Sequence, residues 1–308
     1  MSVRQSAAVH LTLRQVEIFV AVARAGSTTA AAREISLSQS ATSAALNELE
    51  ALLGGKLFNR VGRRLVLNEH GRSMLPQARA LIESARGLEA EFGIDGSSSA
   101  PRLGVAASTT IGNYVLPAVL ASYRRKQRGA RFGMRIANTQ QVVDAVANFE
   151  VDLGFIEGPT TEPQVVLIPW MTDELVVACS PRDPLARLRG RVGLDELRQA
   201  NWLLREPGSG TREMVERMLQ PRLHQLKSDI DLGSAQAIMQ AAAEGVGITC
   251  LSLHAVRDMV KLRKLVLLRT ALPRMRRAFY IIHHEHRYIS PTLERFIAHC
   301  RSSYRKNR

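Results

Sequence analysis

Four short stretches collect small hydroxyl side chains beside glycine or charge. They are "ASTTIG" with Ser108, Thr109 and Thr110, "ANTQQ" with Thr139, "REPGSGTRE" with Arg205, Gly208, Ser209 and Thr211, and "LGSAQ" with Ser234. Each follows a β-like run and precedes a helical one. Each is therefore expected at the carboxyl end of a strand and the N-terminus of a helix, where free backbone N–H groups and the helix dipole favour an anion. Ligands of open α/β sheets bind at such strand ends. Taken singly, each Ser or Thr reads as an N-cap. Four such turns converging on one cleft would make an oxyanion site, and the glycines of "PGSG" allow close backbone approach. The GK[ST] ending of a phosphate-binding P-loop is absent, and so is the GxSxG pattern of a nucleophile elbow. No Ser/His/Asp or paired-carboxylate arrangement stands out, so the expected chemistry is binding and not catalysis, with a small anionic effector and no cofactor. "HHEH", His283–His286, reads as a polar strand end: at strand spacing its histidines split between two faces and three metal ligands do not converge.

A second constellation lies near the N-terminus. "SLSQSATSAALNELEALLG", Ser36–Gly54, holds no Lys or Arg in a chain of formal charge +14. Ala41, Ala45, Leu46, Leu49 and Leu53 fall on an apolar stripe; Gln39, Ser40, Thr42, Ser43 and Asn47 fall on the other face. Gln bonds adenine N6/N7, and Ser and Thr serve as adaptable partners, so a helix of this kind suits the major groove. The bland reading is a trihelical protein-interaction module. The basic turn "RVGRR" that follows, with Arg60, Arg63 and Arg64, favours nucleic acid.

The elements that must position these groups can be read in order. Thr12 with Gln15 fits a capping box opening a helix that Gly26 stops. Ser27 caps a short helix to about Ile35, a turn Ser36–Ser38 follows, and a third helix runs to about Leu53. "LF" and "LVLN" around the basic turn make a hairpin wing. From Gly71 to Phe92 a helix carries Met74, Ala78, Leu81, Ala85, Leu88 and Phe92 as an a/d seam that asks for a partner helix, a second copy of the chain before the protein's own domain. Gly93–Pro101 reads as a flexible hinge. Beyond it strands alternate with helices: "RLGVAA", "FGMRIA", "DLGFIE", "ELVVACS", "WLLRE", "DIDLG", "GITCLS", "LVLLR" and "RAFYIIHH". That alternation implies largely parallel sheets, here in two lobes, with chain crossings near Pro169–Trp170 and near Leu268.

The 308 residues are enough for more than one domain, and no apolar run approaches the ~20 residues of a membrane span. The three cysteines form no CxxC pair and read as buried free thiols in a reducing compartment. The expected location is the cytoplasm. The charge excess points to a polyanion. It gathers at Lys56–Arg72, at Arg124–Arg135, which reads as a solvated surface, and over Arg269–Arg308.

The stretch "LTLRQVEIFVAVARAGSTTAAAREISLSQSATSAALNELEALLGGKLFNRVGRRLVLNEHGRSML" resembles the N-terminal domain of LysR-type transcriptional regulators, and the order of the remaining parts is similar to that family too. The resemblance implies a winged helix–turn–helix over residues 1–70, a linker and dimerisation helix over 71–92, a hinge over 93–100, and a two-lobed periplasmic-binding-protein-type effector domain over 101–308. Lobe I would take about 101–168 and 269–308, and lobe II about 169–268. The implied DNA contacts are Ser38, Gln39 and Ser43, then Ser40 and Thr42, with Arg60, Arg63 and Arg64 of the wing; Thr28 and Thr29 at the start of the preceding helix are expected beside them. The family usually has Pro where this chain has Ser40. The resemblance places the effector near Ser108, Thr109, Thr139 and Ser234, and the turns themselves add Thr110, Arg205, Gly208, Ser209 and Thr211 to the expected site. "ASTTIGNYVLP" and "REPGSGTR" are similar to a branch controlling sulfur or sulfite metabolism, or carbon fixation, which makes sulfite the first candidate ligand and a compact carboxylate the next. The implied partners are double-stranded promoter DNA, a homodimer through the linker helix assembled into a homotetramer, and RNA polymerase, with no membrane. Two other readings stay open on the residues alone: a solute-binding protein of the same two-lobed fold, and an anion-dependent enzyme.

Overall fold

The computed structural model describes residues 10–62, 64–92 and 102–305. Arg63 and the expected hinge at 93–100 lie outside the described residues. The chain divides into two compact units.

In the first unit, α1 (Leu13–Ala25) opens on the expected capping box: Thr12 Oγ1 accepts from Gln15 N and the Gln15 side chain accepts from Thr12 N. Gly26, at φ 68°, stops it in the left-handed conformation. Helix α2 (Thr28–Glu34) is capped by Ser27, and α3 (Gln39–Leu52) by Ser38, whose Oγ accepts from Ala41 N at 3.1 Å. Ser36, at φ 54°, makes the turn between them. Strands β1 (Phe58–Val61) and β2 (Arg64–Leu67) pair antiparallel with Val61 opposite Arg64 and Gly62 at φ 60°, the expected hairpin. Helix α4 (Glu69–Phe92) packs its first half on a core built from Val16, Phe19, Val22, Leu46, Leu49 and Phe58. Gly71 is required there: a Cβ would stand 2.2 Å from the Leu57 carbonyl oxygen.

Two expectations change in this unit. The buried stripe of α3 is Thr42, Leu46, Leu49 and Glu50, while Ala41 and Leu53 are exposed. The i, i+4, i+7 row through Leu46 and Leu49 begins at Thr42, and the Thr42 hydroxyl is satisfied inside by donating to Ser38 O at 2.9 Å. The seam of α4 is divided: Met74 and Ala78, joined by Leu75 and Ile82, belong to the core of the unit, whereas Leu81 and Leu88 are 47% and 58% exposed.

The second unit is a mixed α/β body. Its elements are β3 (Arg102–Ser108), α5 (Thr109–Tyr114), α6 (Leu116–Lys126), β4 (Arg131–Ala137), α7 (Thr139–Ala147), β5 (Leu153–Glu157), β6 (Val165–Cys179), α8 (Leu194–Gln199), β7 (Trp202–Arg205), α9 (Gly210–Leu223), β8 (Ile230–Leu232), α10 (Ala235–Ala243), β9 (Ile248–Ser252), α11 (Leu253–Lys261), β10 (Val266–Leu267), β11 (Met275–His284) and α12 (Pro291–Arg305). The strands order as β4-β3-β5-β11-β6-β9-β7-β8, with β10 on β6. Two parallel halves, β4-β3-β5 and β9-β7-β8, are joined through the antiparallel pair β6 and β11. This is the expected two-lobed architecture. The first crossing falls where the register of that pair shifts, with Pro169 opposite Tyr280 and Met171 opposite Phe279. The second is not near Leu268. Leu268 N donates to Val177 O and Thr270 bridges Val192, so that segment stays with the second half and the return runs through the middle of β11. The "HHEH" run is split, because β11 ends at His284. The three cysteines are buried, and burial pushes the Cys179 and Cys250 thiols up to about 12.

Candidate nucleic-acid interface and effector cleft

On α3 Gln39, Ser40, Asn47 and the charged Glu48 are exposed, with Ser43 half-buried. Gln39 Nε2 donates to Thr28 Oγ1 on α2 at 3.4 Å, and Thr29 beside it is exposed. Ser38 caps the helix and shares a 3.0 Å bond with Ser40 Oγ. Thr42 does not belong on this face: it is fully buried, so base contact by its side chain is excluded without unpacking α3. In the wing, Arg60 pairs with Leu65 and Arg64 with Val61, which puts the two exposed arginines on opposite faces of the hairpin.

Glu50 is one of the two acidic residues in this stretch that holds no Lys or Arg. It is buried, accepts from Leu57 N at 2.8 Å, and pairs with Lys56 Nζ at 2.7 Å. The carboxylate satisfies the backbone where the chain enters the wing, and so couples the end of α3 to the start of β1.

In the second unit, the hydroxyl-rich turns meet across the two halves of the sheet. Ser108 N-caps α5 and its Oγ donates to Glu157 Oε1 at 3.0 Å; Thr110 N donates to the same oxygen at 3.2 Å. From the other half, Thr211 Oγ1 donates to Glu157 Oε2 at 2.7 Å and Arg277 Nη1 to the same oxygen at 3.0 Å. Arg277 Nε continues to Asp173 Oδ2 at 2.8 Å, and Ser252 Oγ donates to Asp173 Oδ1 at 2.7 Å. Thr109 Oγ1 accepts from Arg205 Nη2 at 3.2 Å, and Arg205 is held flat by the Glu206 carboxylate at 2.7 and 2.8 Å. Thr139 Oγ1 accepts from Gly210 N, and Gly208 O accepts from Gln140 N, both at 3.2 Å. Gly208 needs its φ of 80°, and a Cβ on Gly210 would stand 2.5 Å from Thr139 Oγ1 and 2.6 Å from Glu157 O. Ser209 holds the N-cap position of α9, without a side-chain cap bond, and is buried with these groups.

Ser108, Thr109, Thr110, Thr139, Arg205, Gly208, Ser209 and Thr211 are thus gathered at one place. Ser234 makes none of these links among the described residues; its hydroxyl caps α10 by accepting from Ala237 N. The two halves are tied a second time by Tyr114 Oη donating to Gln236 Oε1 at 3.4 Å.

Sequence reasoning missed Glu157, Arg277 and Asp173. The expected cradle for an anion already receives one, the Glu157 carboxylate, which engages the protons of Ser108 and Thr211. Burial alone would raise its pKa; the Arg277 charge and the hydrogen bonds from Thr110, Thr211 and Ser108 outweigh burial and hold it below the ordinary carboxylate range. One signal was available for Glu157, a charged residue closing the apolar run "LGFI" at the same strand-end level as the hydroxyls. Arg277 offered none. It sits in a run of arginines read as part of a basic tail, yet its side chain is fully buried and stacks 5.2 Å from the Phe279 ring centre.

Comparison with known proteins gives this arrangement its context. Residues 13–72 match the family described as bacterial regulatory helix-turn-helix protein, lysR family, and residues 96–305 match the LysR substrate binding domain. The chain is 45% identical to the HTH-type transcriptional regulator YeiE of Escherichia coli (strain K12) over 291 residues, covering 94% of this chain and 97% of that protein. It is 32% identical to the RuBisCO operon transcriptional regulator of Allochromatium vinosum over 287 residues, 93% of this chain and 94% of that one. Among solved structures, the CcmR regulatory domain of Synechocystis PCC6803, determined in complex with 2-PG, is 28% identical at a TM-score of 0.61, covering 66% of this chain and 97% of that one. With a helix–turn–helix and wing in one unit and a two-lobed binding fold in the other, the chain belongs to the LysR family of DNA-binding transcriptional regulators.

Proposed function

We propose that this regulator senses a small inorganic oxyanion or compact carboxylate, sulfite first, bound between the two halves of its effector unit. The observation that carries the proposal is the contact between Arg205 and Thr109. A buried guanidinium from one half and, from the other, a half-buried hydroxyl whose proton now goes to Ala137 O at 3.3 Å and would turn to a bound anion are groups suited to a planar or pyramidal oxyanion. An anion inserted there exchanges a single bond between the halves for charge-assisted bonds to each. It then favours one relative arrangement of the halves, provided its affinity differs between the arrangements. A relative solved with 2-PG supports a small ligand in a domain of this kind, and the likeness of the "ASTTIGNYVLP" and "REPGSGTR" stretches to the sulfur and carbon-fixation branch puts sulfite ahead of other candidates.

At the DNA end, Gln39, Ser40 and Ser43 would meet base edges in the major groove of promoter DNA, and Arg60, Arg63 and Arg64 the backbone. The apolar side chains of Leu81 and Leu88 suit a second copy of α4, giving a homodimer that reads a dyad-related site and assembles into a homotetramer, with RNA polymerase as a further partner.

The test is calorimetric titration of the full chain with sulfite, sulfate, thiosulfate, phosphate and small carboxylates. One of these binds the wild type, and Thr109→Val weakens it by about tenfold, the value of a charge-assisted bond. Equal affinity in wild type and variant moves the site elsewhere.

A further inference from the structure

We infer that Thr28 is a positioning residue for base readout: its hydroxyl oxygen holds the Gln39 carboxamide in the orientation that presents Oε1 and one N–H together to an adenine edge. The inference rests on α3 being the helix that meets base edges.

A glutamine carboxamide carries two N–H donors and one acceptor oxygen. Bidentate reading of adenine uses the oxygen, which accepts from N6, and one N–H, which donates to N7. The second N–H is left over. In this structure Nε2 reaches Thr28 Oγ1 at 3.4 Å, eleven positions earlier and on the preceding helix. That bond employs the donor the base does not need. In that arrangement Oε1 is free for the exocyclic amine of adenine, whereas the opposite flip, in which Oε1 would accept from the Thr28 hydroxyl, would offer the base N–H groups alone and suit the acceptors of guanine.

Thr28 is built as a fixed point. It stands in the first turn of α2, whose start is locked by Ser27 Oγ accepting from Ala30 N at 3.1 Å. Its β-branched side chain is stiff at χ1. Gln39, by contrast, is exposed and is the first residue of its helix, with Ser40 and the capping Ser38 as its short neighbours in sequence. An unbraced glutamine there would lose rotamer freedom on binding DNA; the bond to Thr28 removes part of that loss beforehand. The turn of the helix–turn–helix therefore brings together one residue that reads and one that aims.

The test uses the full-length chain and a consensus duplex selected by the wild type from a random-sequence pool. Gln39→Ala identifies the base pair whose preference depends on Gln39. Affinities are then measured by fluorescence anisotropy on duplexes carrying each of the four base pairs at that position. Thr28→Val keeps the shape and removes the acceptor. It should lower the preference for adenine by roughly threefold to tenfold, the worth of one hydrogen bond, with the salt dependence unchanged, and Thr28→Ser should restore it. Full preference in Thr28→Val, with preference lost in Gln39→Ala, overturns the inference and leaves α3 as the reading helix. Equal weakening on every duplex with a flatter salt slope makes Thr28 a backbone contact and overturns it as well. Unchanged preferences in Gln39→Ala remove the assignment of α3 and the inference together.

Discussion

Replacing Glu157 by glutamine removes one charge from the buried chain that joins the two halves of the effector unit, and its consequences can be worked from the distances. The carboxylate accepts from Ser108, the Thr110 amide, Thr211 and Arg277, and its side chain is 2% exposed. Glutamine keeps the shape but turns an N–H toward one oxygen's set of donors, so at least one buried bond is lost. Arg277 keeps Asp173 and is not left wholly uncompensated. Breaking a buried pair costs roughly 3–5 kcal/mol, and the surviving partner sets the expectation at the lower end, about 3 kcal/mol. With a urea m-value of about 2–3 kcal/mol/M, the unfolding midpoint should fall by about 1–1.5 M. The chain's two tryptophans, Trp170 and Trp202, both lie buried in this unit, so intrinsic tryptophan fluorescence follows its unfolding without a label. The pH dependence carries a sign. Because the folded carboxyl titrates below its ordinary value of 4.5, its stabilisation is fully present above that pH and is lost as pH falls through the folded value. Wild type and Glu157→Gln should therefore differ most near neutrality and converge in acid. A midpoint shift below about 0.2 M at pH 7, or a gap that widens in acid, would refute the placement of a charged carboxylate at this junction.

Three further outcomes are expected. Glu50→Ala leaves the buried Leu57 amide without its acceptor and should cost about 1–3 kcal/mol, seen as faster hydrogen exchange in α1 and α3 by mass spectrometry; unchanged exchange would show the bond is dispensable. Thr42→Val should lose about 1 kcal/mol of stability through the bond to Ser38 O while leaving base preference intact, and a changed preference would return Thr42 to the DNA surface. Leu81→Glu with Leu88→Glu should shift sedimentation of the full chain toward a smaller species; an unaltered profile would exclude α4 as the dimer seam.

What could be read from the sequence follows from the range of the interactions. The capping box at Thr12, the Ser27 cap and the Gly26 stop are signals of three or four residues, and all stand in the structure as expected. The phase of α3 was misread because alanine is indifferent to burial and threonine is not simply polar: Thr42 hides its methyl and satisfies its hydroxyl locally. The first part of β6 was missed because Pro169 argues against a strand; the structure accommodates it at the register shift, where ladder bonding is interrupted. The Ser234 turn does not join the others; the gathering of those three of the four hydroxyl turns was legible from strand-end logic. The charges that hold them together were not, since Arg277 finds Glu157 and Asp173 across 120 and 104 positions and looks like its arginine neighbours until the sheet is assembled.

The central claim is that an anion in the cleft alters how the DNA-binding unit engages its site. DNase I footprinting of the full chain on its selected duplex, with and without sulfite at a concentration that calorimetry shows to be saturating, tests it directly. A changed protection pattern or affinity in the wild type, absent in Thr109→Val at the same concentration, is the predicted result. Identical footprints with the anion demonstrably bound would contradict the account.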